Sequence, residues 1–109
     1  MAHEAPTIST HVLDTEAGRP AAGILVRLYR ADADDERLVG EGVTDADGRI
    51  GRLLAEPLAV GRYRMAFELA NRSPIFRRLD LHLEIGDATR SHHIPLLLSS
   101  YGLTTYRGS

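Results

Sequence analysis

Leu79-Asp80-Leu81-His82-Leu83-Glu84-Ile85 alternates apolar and polar side chains without a break. This is the pattern of a strand with one face in a core and the other in water. Outward from it the same period returns. Tyr63, Met65, Phe67 and Leu69 alternate with Arg64, Ala66 and Glu68, and Ile24, Val26 and Leu28 alternate with Leu25, Arg27 and Tyr29. Turn signals stand between such stretches at Glu16-Ala17-Gly18-Arg19-Pro20, Asp45-Ala46-Asp47-Gly48, Ala59-Val60-Gly61 and Gly86-Asp87. Asp47-Gly48 suits a tight turn because Gly tolerates positive φ and Asp can bond its own backbone. Only residues 71–78 could hold a short helical turn. There Ser73-Pro74 reads as an N-cap followed by proline at the first helical position, which predicts a short helix. The expected fold is all-β, an antiparallel β-sandwich of about seven or eight strands with one short helix.

At 109 residues the chain makes one domain. It is expected to run over residues 7–109 behind a loose N-terminal arm of residues 1–6. There is no cysteine and no tryptophan, and all 13 basic side chains are arginine. The absence of cysteine excludes disulfides, Cys-ligated zinc, iron–sulfur clusters and thiol nucleophiles. A formal net charge of −2 argues against nucleic acid as a partner, which calls for a basic face. Met1-Ala2-His3-Glu4-Ala5-Pro6 has neither the basic nor the apolar region of a secretory signal. No apolar run approaches the roughly 20 residues that span a bilayer. A cytoplasmic domain without membrane contact is expected.

Strand parity sorts the five histidines. In Ile8-Ser9-Thr10-His11-Val12-Leu13-Asp14 the face of Ile8 and Val12 belongs to the core, so His11 shares the outer face with Ser9 and Leu13. Residues 90–98 read as one strand whose core face is Ile94, Leu96 and Leu98. His93 then shares the outer face with Ser91, Pro95 and Leu97. An outer face carrying leucines is normally covered, and in a small sandwich the usual cover is another subunit. His11 and His93 are therefore expected to line a groove at a subunit interface. His3 reads as part of the arm, His82 as a polar-face residue, and His92 as structural or rim. Adjacent His92 and His93 point to opposite faces of a strand, so they cannot share a metal, and no metal site is expected.

Several stretches are jointly recognisable: residues 8–14 as quoted, Gly18-Arg19-Pro20-Ala21, Thr44-Asp45-Ala46-Asp47-Gly48-Arg49, His93-Ile94-Pro95-Leu96-Leu97-Leu98-Ser99, and the terminal Tyr106-Arg107-Gly108-Ser109. Together they resemble the 5-hydroxyisourate hydrolases, the transthyretin-related proteins of urate breakdown, over residues 8–109. The terminal tetrapeptide is the most specific element, since in that family it separates hydrolases from hormone-carrying transthyretins. The resemblance implies a transthyretin-like sandwich and a catalytic set of His11, Arg49 and His93. It also implies a substrate-binding set of Tyr106, Arg107, Gly108 and Ser109, and a homotetramer with sites between dimers. Two features depart from the family pattern. Where it usually reads His-aromatic-His before Val/Ile-Pro, this chain has Ser91, His92 and His93, and the stretch over residues 69–79 is short.

The implied reaction is hydrolysis of the cyclic amide of 5-hydroxyisourate. It needs an activated water, a group that stabilises an oxyanion, and a proton donor for the leaving nitrogen. Imidazole, with an ordinary pKa of about 6.5, suits the first and last tasks. Either His93 or His11 could activate the water, the other orienting substrate or relaying a proton. Arg49 offers a rigid fork of donors for planar carbonyl oxygens. Without the resemblance Arg49 reads as a solvated turn residue. Ser109 brings a carboxylate and a hydroxyl suited to positioning. No phosphate loop or cofactor fingerprint is present, so a cofactor-free site is expected. The competing reading is a non-catalytic, transthyretin-like binder of a small planar ligand; such a carrier has no need of the His11, Arg49, His93 and Tyr-Arg-Gly-Ser set.

Overall fold

A computed structural model describes residues 5–108. His3 and Ser109 lie outside the described residues. The strands in chain order are β1 (Ile8–Asp14), β2 (Arg19–Pro20), β3 (Leu25–Asp32), β4 (Asp35–Val43), β5 (Arg49–Ile50), β6 (Gly61–Glu68), β7 (Arg78–Ile85), β8 (His92–His93), β9 (Leu96–Leu98) and β10 (Leu103–Thr105). They form two sheets. One has the order β4-β3-β6-β7; the other runs β10-β9-β1-β2, with β5 and β8 also pairing to β1. Strand β1 is thus the hub of the second sheet.

The alternating residues meet between the sheets. Ile8 and Val12 of β1, Val26 and Leu28 of β3, Met65 and Phe67 of β6, and Leu96 of β9 are all fully buried. Leu79, Leu81 and Leu83 of β7 pack at the margin of this core, and their polar neighbours face out as the period requires. The outer face of the first sheet is closed by charge pairing. Arg64 lies over the Tyr29 ring at 4.2 Å and bridges Glu36 and Asp80 at 2.9 and 2.7 Å.

Three expectations need correction. No helix forms among the described residues. Residues 70–72 make a turn, and Ser73 Oγ accepts the amides of Ile75 and Phe76 as a cap would. That hydroxyl also donates to the Ser100 carbonyl, and Leu69 N–H donates to Arg77 O, closing the loop. With Glu68 opposite Arg78 in the β6–β7 register, the loop is too short and too tightly tied to continue helically. Residues 90–98 are two strands rather than one. The chain breaks at Ile94-Pro95, where proline has no N–H for a ladder. The flanking carbonyls are satisfied by hydroxyls instead: Thr10 donates to Ile94 O at 2.6 Å and Thr105 to Pro95 O at 2.8 Å. Finally, the sandwich is not wholly antiparallel, because β8 and β9 both run parallel to β1.

Strand β4 forms a hairpin with β3, with a bulge after Leu28. Its Gly40 is required by proximity: a Cβ there would sit 1.8 Å from the Leu53 carbonyl oxygen.

Candidate active site

The outer face of β1 collects the polar side chains singled out from the sequence. His11 is paired in register with Arg49 of β5, and Ser9 with His93 of β8. Register partners and alternate residues of a strand share a face. Ser9, His11, Arg49 and His93 therefore lie on one side of the sheet, away from the core face of Ile8, Thr10 and Val12. Parity placed both histidines outward, and both are half-buried there.

The turn that presents Arg49 is built by its own sequence. Asp45 Oδ1 accepts the amides of Asp47 and Arg49, each at 2.9 Å, and Gly48 N–H donates to Asp45 O. Gly48 has φ +75°, and its carbonyl accepts Val12 N–H at 2.7 Å. The turn thereby presses onto β1, so closely that a Cβ on Gly48 would lie 2.3 Å from Val12 O. Arg49 is held opposite His11 by that contact.

His93 is positioned from three sides. The ladder to β1 runs through His92 N–H to Thr7 O and Ile94 N–H to Ser9 O, both at 2.9 Å. Its Nδ1 is 2.8 Å from Ser9 Oγ. The C-terminal segment then returns to it: Gly108 N–H donates to His93 O at 2.7 Å, and a Cβ on Gly108 would come 3.0 Å from His93 Cδ2. Glycine in the terminal motif lets the chain pass against the ring edge. Tyr106 and Arg107, on the approach to Gly108, are exposed.

Burial holds the His93 pKa below the ordinary imidazole value, and the positive charges of Arg49 and His11 push it in the same direction. Those two side chains therefore act on His93 through space, and the imidazole is neutral at neutral pH. A neutral imidazole beside a permanently charged guanidinium can take a proton from water while the guanidinium receives developing negative charge. Among the described residues no three His, Asp or Glu side chains gather as a metal site would need.

His92, one residue earlier, points inward. It is buried, and its Nε2 donates to the Asp87 carbonyl at 2.7 Å, which is the structural role expected of it. Ser91, where the family pattern usually has histidine, accepts Thr7 N–H at 3.0 Å and so ties the start of β1. The residue that sequence reasoning left without a role is Ser9; its signal was parity, since it shares the face of His11.

With this geometry in place, comparison with known proteins is direct. Residues 8–108 match the model of the HIUase/Transthyretin family. The chain belongs to that family. Within the HIUase/Transthyretin family, 5-hydroxyisourate hydrolase 2 of Rhizobium meliloti is 42% identical, the match covering 94% of this chain and 95% of that protein. The 5-hydroxyisourate hydrolase of Caulobacter vibrioides is 37% identical over 94% of this chain and 97% of its own length. The solved structure of Klebsiella pneumoniae 5-hydroxyisourate hydrolase superposes with a TM-score of 0.81 at 38% identity, covering 94% of this chain and 99% of that one. Sea bream transthyretin in complex with thyroxine superposes as well, with a TM-score of 0.83, but at 25% identity over 93% of each chain. Backbone shape is thus common to the hydrolase and to transthyretin.

Proposed function

We infer that this chain hydrolyses 5-hydroxyisourate, opening its cyclic amide to give 2-oxo-4-hydroxy-4-carboxy-5-ureidoimidazoline in urate degradation. The observation that carries this reading is the common face of His11, Arg49 and His93, in a family member whose relatives are named 5-hydroxyisourate hydrolases. In this mechanism His93 is the base. Its lowered pKa keeps a lone pair available at neutral pH, and it removes a proton from water as the water oxygen bonds to the amide carbonyl carbon. Arg49 stabilises the oxyanion with charged donors. The carbon–nitrogen bond then breaks, and His93 returns the proton to the departing nitrogen, leaving a carboxylic acid and a ureido group. Water and substrate alone balance the reaction, so it calls on no cofactor. His11 orients the substrate or relays the proton, while Tyr106, Arg107, Gly108 and Ser109 bind it.

The reading includes an assembly. Two surface clefts of the protomer lie elsewhere, one around Asp32–Glu36 with His82 and the other around Ile75–Arg78, whereas small ligands need a concave site. The half-buried Leu13 and Leu97 accompany the histidines on the outer face. A homotetramer, with each site formed where dimers meet over this face, supplies the missing wall. The working domain is residues 7–109, and the reaction is cytoplasmic.

The test uses 5-hydroxyisourate generated from urate by urate oxidase, with its ultraviolet decay followed with and without this protein. Acceleration in proportion to protein is the expected result. A decay unchanged by the protein overturns the reading.

A further inference from the structure

The His93 ring is gripped along one side. Nδ1 meets Ser9 Oγ at 2.8 Å, Gly108 passes against Cδ2, and Nε2 makes no hydrogen bond among the described residues. Ser9 Oγ has no second partner among those residues either. A neutral imidazole carries one proton, on one nitrogen or the other, and only the unprotonated nitrogen can act as a base. The partner at Nδ1 decides which. If the serine hydroxyl accepts a hydrogen bond from Nδ1–H, the free lone pair is on Nε2. If the hydroxyl donates, Nε2 carries the proton and the ring cannot take one from water.

We propose that Ser9 is a positioning residue for the hydrolysis, accepting the Nδ1–H of His93 and so holding the ring in the tautomer whose Nε2 is the working base. This rests on the proposed function and extends it to a residue with no assigned role. The proton balance is consistent through a turnover. Nε2 takes a proton from water, the imidazolium keeps Nδ1–H on Ser9 Oγ, and Nε2 then gives its proton to the leaving nitrogen. Ser9 never changes its charge. A carboxylate at that place would also fix the tautomer, but it would stabilise the imidazolium and raise its pKa. A hydroxyl orients the ring without that cost, in keeping with a site where burial, Arg49 and His11 all favour the neutral form. The parallel β1–β8 pairing is what makes the contact possible, because it sets Ser9 and His93 side by side on one face.

The experiment compares the full chain with Ser9→Ala and Ser9→Thr. Nitrogen-15 NMR of the free protein above pH 7 should show His93 protonated at Nδ1 in the parent chain, a mixture of tautomers in Ser9→Ala, and Nδ1 protonation again in Ser9→Thr. In the urate oxidase assay Ser9→Ala should lower kcat roughly tenfold, the weight of one hydrogen bond. KM should stay near its parent value and Ser9→Thr should restore kcat. A serine that merely braces the strand would move neither the tautomer nor kcat apart from KM. Protonation at Nε2 in the parent chain, or full kcat in Ser9→Ala, overturns the proposal. The NMR arm needs no substrate. A parent protein that fails to hydrolyse 5-hydroxyisourate would therefore overturn the function, while the spectra would still decide which nitrogen of His93 carries the proton.

Discussion

At the scale of single residues, the proposed mechanism depends on a histidine kept neutral. His93 has its pKa lowered first by burial, then by the charges of Arg49 and His11. A base works only when deprotonated, so a lowered pKa preserves activity as the medium becomes more acidic. The acid limb of the kcat/KM profile should therefore fall below pH 6.5, the ordinary imidazole value. An apparent pKa at or above that value would show that His93 is not the titrating base. Arg49→Gln keeps a hydrogen-bonding side chain but removes the charge. In that variant the His93 titration, followed by NMR, should move partway back up, since the burial contribution remains. His93→Asn should abolish the acceleration of 5-hydroxyisourate decay, with circular dichroism unchanged because the side chain faces out from the core. The same shift bears on stability with a definite sign. The unfolded chain takes up the His93 proton near pH 6.5 and the folded chain only at lower pH, so stability falls across that window as pH drops.

At the scale of elements, the turn between β4 and β5 links a local sequence to the geometry of the site. Gly48 has φ +75°, and a Cβ there would press on Val12 O. Gly48→Ala should cost roughly 1–3 kcal/mol of stability in urea unfolding and should lower activity further by moving Arg49 away from His11. Gly86→Ala, where nothing lies within 4 Å and φ is ordinary, should stay within about 0.5 kcal/mol of the parent. A Gly48→Ala protein as stable and active as the Gly86 variant would refute this account of the turn. This element also shows what can be read before folding. Asp45, Asp47 and Gly48 announce a turn through local chemistry, as the period-two stretches announce β1, β3, β6 and β7. What stayed hidden is the pairing of elements distant in sequence. That Arg49 stands opposite His11, and that Gly108 returns to His93, follows from ladders no local period encodes; the resemblance alone brought those residues together. The Ser73-Pro74 cap misled for the same reason, since closure between Glu68 and Arg78 overrides a local preference. In residues 90–98 parity sorts the faces, but the break at Pro95 depends on the cross-sheet partners that the carbonyls of Ile94 and Pro95 find. Strand β4 sends one apolar side chain, Val39, into the core while its Leu38 and Val43 stay exposed, so no period of two marks it.

At the scale of the whole molecule, the extents of 40 × 35 × 20 Å leave little interior for a ligand once two sheets are packed about 10 Å apart. The core between them is filled by side chains, so substrate must be met on an outer face. On the second sheet that face carries His11, His93 and Arg49 together with Leu13 and Leu97, which are register partners across β1 and β9. Covering the face with another copy would bury the leucines and turn a flat sheet into a walled site. Light scattering at micromolar concentration should then give a mass near four chains. Leu97→Asp should reduce that mass, because an unpaired carboxylate is costly to bury between subunits. It should leave the protomer fold unchanged by circular dichroism, since Leu97 is half-exposed and points away from the core. Activity should fall along with the mass, although the variant alters no catalytic side chain. A Leu97→Asp protein that is monomeric yet hydrolyses 5-hydroxyisourate at the parent rate would mean that one sheet face suffices, and the wall supplied by a second copy would have to be abandoned.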